Sequence, residues 1–118
     1  QAFTALITDL EQRGMLDSTL VVVATEFGRK PDFSGDGRSH HPVCFSTVLA
    51  GGGTKAGFVH GKSDDAGYYP EDDAVSVGAF HSSIAYAAGM DIEKPATSPS
   101  GRPMTVGDGE EPILEFFT

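Results

Sequence analysis

A single cysteine, Cys44, leaves the chain without an internal disulfide or a cysteine-based zinc cluster, and it reads as a small buried apolar residue. Basic residues are scarce as well: eight stand against seventeen acidic ones in 118 residues, a formal net charge of −9. That balance argues against nonspecific binding of nucleic acid or of anionic membranes. Solubility explains it without any basic ligand. No apolar run approaches the roughly 18 residues of a membrane span. No Gly-x-Ser-x-Gly elbow is present, Ser39 beside His40 is not a triad signature, and the triple glycine at 51–53 lacks the Gly-Lys-Ser/Thr of a phosphate loop. Internal repeats and low-complexity tracts are missing too.

The length permits one domain of ordinary size. The chain begins with Gln1 inside an uncapped amphipathic pattern, as a fragment or processed chain would. Phe3, Leu6, Ile7 and Leu10 share one face of a helix predicted from Ala2 to Arg13, with Gly14 as its stop. A near-continuous β-branched strand follows at 20–24, suited to a sheet covered on both faces. Helix, turn and buried strand together give an α/β class. A second strand is expected from Phe45 to Ala50, ending in glycines where the backbone turns sharply or admits a close neighbour. Residues 57–61 alternate like a short strand, and Ser63 to Gly67 reads as turn. Ser76 is the expected N-cap of a helix from Val77 to Ala88 that Gly89 stops. Residues 91–107 read as surface connection, and Pro112 to Phe117 as a last strand or helical turn.

The chemistry is concentrated after the first strand, where α/β sheets place ligands and catalytic groups. Thr25-Glu26-Phe27-Gly28-Arg29 and Gly37-Arg38-Ser39-His40-His41-Pro42 bring a carboxylate, two guanidiniums and two imidazoles into one polar loop. A divalent ion takes such oxygens and nitrogens when they converge. Glu26 with His40 or His41 is therefore a candidate ligand set. Adjacent side chains on an extended segment diverge, so only one of the two histidines reaches a given ion. The alternative is that Glu26 pairs with Arg29 or Arg38 while the imidazoles are solvated. Arg29 and Arg38 suit a bidentate grip on phosphate or sulfate, although salt bridges to the many carboxylates use them equally well. His81 on the last helix reads as a solvated or capping residue, and His60 carries no clear signal.

These motifs, with Leu-Ala-Gly-Gly-Gly-Thr-Lys-Ala-Gly at 49–57 and Val-His-Gly-Lys-Ser-Asp-Asp-Ala-Gly-Tyr at 59–68, resemble the carboxyl-terminal part of an uncharacterised bacterial family in the alkaline phosphatase-like, or sulfatase-like, superfamily. The likeness runs from the first helix to Pro103. It implies that residues 1–118 are the carboxyl-terminal portion of one three-layer α/β/α domain, with divalent metal (zinc, manganese or calcium) at the carboxyl ends of its strands. By this resemblance Glu26 stands where superfamily members have a metal-binding Asp, and His40 where the family has the His of Gly-Arg-Asp-His. His81 matches a recurrent family histidine. Phe27 occupies the place of the usual second ligand, His or Asn, and Ser39 replaces an Asp. The implied activity is metal-dependent hydrolysis of phosphate or sulfate esters, with the nucleophile supplied by an earlier part of the parent and Arg29 or Arg38 as the catalytic cations. Phe27 and Ser39 favour a second outcome, a non-catalytic binding or scaffold domain. The resemblance also implies a periplasmic or extracellular parent, and the excised helix and strand lead us to expect self-association.

Overall fold

The computed structural model describes residues 1–118. It mixes two α-helices, α1 (Ala2–Gln12) and α2 (Val77–Ala87), with eight short strands: β1 (Val21–Val23), β2 (Gly28–Arg29), β3 (His40–His41), β4 (Val48–Ala50), β5 (Lys62–Ser63), β6 (Pro70–Asp72), β7 (Ala96–Thr97) and β8 (Pro103–Met104). The strands pair as four two-stranded sheets: β1 with β4, β2 with β3, β5 with β6 and β7 with β8. The last three pairs are antiparallel. The chain forms two compact units, one of Gln1–Val21, Ala50–Phe58 and Val75–Thr118, the other of Val22–Leu49 and Val59–Ala74. No helix is long and apolar enough to cross a membrane.

In the first unit, α1 ends as the pattern predicts, with Gly14 in the left-handed region at φ 66°. Of its apolar stripe only Leu10 is buried, Ile7 is half-buried, and Phe3 and Leu6 remain exposed. The triple glycine does both things expected of it. Gly51 turns at φ 73°, and a Cβ there would lie 2.5 Å from the carbonyl oxygen of Leu16, a combination only glycine tolerates. The N–H of Gly52 donates to that same carbonyl at 2.9 Å.

Helix α2 is capped by Ser76, whose hydroxyl accepts the N–H of Ala79 at 3.0 Å, and Gly89 stops it at φ 71°. Its buried side chains include two fully enclosed hydroxyls, Ser82 and Ser83. Ser83 donates to the carbonyl of Ala79 at 2.7 Å and accepts the N–H of Ile113 at 2.8 Å. Ser82 reaches the carbonyl of Val106 at 3.5 Å. The helix lies so close to the turn Val106–Gly109 that a Cβ on Gly78 would come within 2.6 Å of the carbonyl oxygen of Gly107. The final segment takes the helical-turn form, at Leu114–Phe116, and Phe117 makes an isolated bridge to Thr54.

The expected strand at 57–61 does not form. Gly57 and Gly61 adopt φ 69° and 71°, left-handed turns that break an extended run at both ends. The other two expected strands shorten to β1 and β4.

Candidate functional site

The polar stretch after β1 is an ordered hairpin in the second unit. Gly28 pairs with His41 and Arg29 with His40. The ladder continues through Lys30 N–H to the carbonyl of Ser39 at 3.0 Å and Ser34 N–H to that of Gly37 at 2.8 Å. Glycine is required at the start of β2, because a Cβ on Gly28 would sit 2.7 Å from that of Phe45. Strand side chains alternate, so Arg29 and His40 share one face and His41 takes the other. Burial agrees: Arg29 and His40 are exposed, whereas His41 is only 4% exposed.

On the open face the imidazole of His40 stacks on Phe27, with ring centroids 3.8 Å apart and planes 19° from parallel. The guanidinium of Arg29 lies 5.5 Å from the centroid of that Phe27 ring and donates from Nη1 to the carbonyl of Arg38 at 3.1 Å. Arg38 reaches back from its own Nη1 to the carbonyl of Lys30 at 3.5 Å, with its guanidinium 4.9 Å from the Phe33 ring centre. Carbonyls and rings hold both guanidiniums where carboxylates were the alternative, and Glu26 stands exposed. Arg29, Lys30 and Arg38 are three of only eight basic residues in the chain and stand with Asp32 and Asp36 on this hairpin, three cations against two carboxylates on a molecule of net charge −9.

On the inner face the Nε2 of His41 lies 2.7 Å from the carbonyl oxygen of Tyr68, a contact that makes Nε2 the protonated nitrogen. The Tyr68 ring meets His41 edge-on at 5.8 Å, and its phenol donates to a carboxylate oxygen of Asp32. That hydrogen bond is the chief reason the Asp32 carboxyl lies below its ordinary range, helped by its own backbone N–H and by Lys30 and Arg38, against slight desolvation. The same bond is the main cause of the upward shift of the Tyr68 phenol, with burial and the Asp32 charge behind it. Sequence reasoning missed Asp32 and Tyr68. The only signal was the turn read at 63–67, whose Asp64 accepts the N–H of Tyr68 at 2.7 Å.

No three of the His, Cys, Asp and Glu side chains converge as ligands for one metal ion. Glu26 and His40 have the right donor chemistry, but two donors fall short of the three or four of a typical site. His41 has one ring nitrogen committed to Tyr68. His60 is half-buried in the same unit, whereas His81 lies exposed on α2 in the other unit, its ring 6.5 Å from Phe80. A family model described as a protein of unknown function, DUF1501, matches residues 1–117. No curated protein and no solved structure matches the chain.

Proposed function

The chain belongs to the DUF1501 family, a membership that names no reaction, and we propose that it is the carboxyl-terminal part of a metal-dependent hydrolase of phosphate or sulfate esters. The observation that carries this reading is the cross-strand pair of Arg29 and His40 on the exposed face of the hairpin. Each guanidinium has five N–H donors, and the structure engages only one of Arg29 and one of Arg38 with backbone carbonyls. The remaining donors suit the oxygens of a tetrahedral anion, where they offset charge developing on the transferred group. Stacking on Phe27 holds the plane of the His40 ring beside them. Glu26 and His40 would supply two donors to a divalent ion (zinc, manganese or calcium), which when bound polarises an ester oxygen. The three-layer alkaline phosphatase-like domain, an exported periplasmic or extracellular parent and self-association through uncovered strands belong to the same proposal.

Titration calorimetry with inorganic phosphate, sulfate, zinc and manganese tests it. Arg29→Ala and Arg38→Ala are expected to weaken anion binding about tenfold each. Glu26→Ala and His40→Ala are expected to abolish an already weak metal affinity, since two donors fall short of the three or four of a typical site. Unchanged anion binding in both arginine variants would overturn the reading. A second reading, a non-catalytic binding or scaffold domain, is favoured by the Phe27 ring stacked on His40 in place of a second ligand. Anion binding with no metal binding at all would select it.

A further inference from the structure

Resting on that oxyanion reading, we propose that Tyr68 is a positioning residue that sets the placement of Arg38 by holding Asp32. The guanidinium of Arg38 has two contacts, the carbonyl of Lys30 and the ring of Phe33, and Asp32 lies between those two residues in the chain. What holds Asp32 therefore bears on both supports of the guanidinium, of which Lys30 is also held by its N–H to the carbonyl of Ser39. The phenol of Tyr68 does this across 36 residues of sequence. Next to Asp32, Pro31 lies against the turn that carries Tyr68: a Cβ on Gly67 would sit 3.4 Å from Pro31 Cγ.

The anchor is itself held on both sides. The N–H of Tyr68 donates to Asp64 Oδ1 at 2.7 Å, and the N–H of Asp64 donates to the carbonyl of Tyr69 at 2.8 Å. The carbonyl of Tyr68 meanwhile accepts from His41, the β3 neighbour of His40. One residue thus grips the hairpin at its loop through the phenol and at its returning strand through the carbonyl. Tyr68→Phe removes the first grip alone, since the ring, the carbonyl and the N–H all remain.

The test uses the whole chain, with inorganic phosphate as probe and hydrogen exchange at the Lys30 and Ser34 amides, which close the hairpin. Tyr68→Phe and Asp32→Ala are expected to weaken phosphate binding about three- to tenfold, the range of one hydrogen bond, and to speed both amides. The double variant loses no more than either single one. Asp32→Asn keeps an acceptor oxygen and restores most of the affinity, while its Tyr68 phenol ionises at lower pH than in wild type, a spectroscopic change that a general loosening does not produce. If wild type binds phosphate and Tyr68→Phe binds it equally well, this proposal alone falls. If wild type binds none, the oxyanion reading falls and takes the proposal with it.

Discussion

At the scale of single residues, Asp32 and Tyr68 make the stability of the second unit depend on pH at two ends of the range. The Asp32 carboxyl is depressed, chiefly by the Tyr68 phenol. Its contribution is present above the unfolded value of about 3.9 and is lost as pH falls through the lower folded value. The Tyr68 phenol is raised, chiefly by Asp32, so its contribution is present below about 10 and is lost as pH rises through the higher folded value. Urea midpoints of wild type and Tyr68→Phe are therefore expected to differ by a constant amount from about pH 5 to pH 9 and to converge beyond both ends. A gap that persists in strong acid would mean that the Tyr68 hydroxyl contributes by something other than its bond to the Asp32 carboxylate. Asp32 is exposed and Tyr68 only half-buried, so solvent screening keeps the effect small.

At the scale of elements, α2 is tied to the carboxyl-terminal segment by a hydroxyl. Ser83 is fully buried and satisfies the N–H of Ile113. Ser83→Ala leaves that N–H without its partner and is expected to cost about 1–3 kcal/mol, measured by urea unfolding. Ser76→Ala, which removes the cap, is expected to cost about 1 kcal/mol. A Ser83→Ala variant as stable as wild type would show that another acceptor replaces the hydroxyl. The helices were legible in the sequence because their signals are local: the stripe from Phe3 to Leu10, Ser76 ahead of α2, and glycines at 14 and 89. Of the strands only β1 and β4 were, and both are shorter than expected. A two-residue strand such as β2 or β3 has no room to display a period, and its pairing depends on residues ten or more positions away. The same reason explains the site. Glu26, Arg29, Arg38, His40 and His41 could be picked out by residue type, but the burial of His41 and its contact with Tyr68 arise from pairing that no local pattern encodes.

At the scale of the whole molecule, the apolar residues are mostly uncovered. Leu10 and Ala85 are the only buried hydrophobic residues, whereas Phe3, Leu6, Val23, Phe33, Val48 and Leu114 are among many large ones left exposed. Two-stranded sheets also leave unpaired strand edges, which accept further strands. The chain is expected to self-associate, its weight-average mass in sedimentation rising with concentration. Added salt should strengthen that association by screening the repulsion between chains of net charge −9. A concentration-independent monomer would count against it.

The interior described for α2 has a thermal consequence. Its most enclosed side chains are the hydroxyls of Ser82 and Ser83, so unfolding transfers little hydrocarbon and some hydrogen-bonding surface to water. Hydrating hydrocarbon raises heat capacity and hydrating polar groups lowers it. The two contributions oppose each other in the packing of this helix, so its share of the stability is expected to change only gently with temperature.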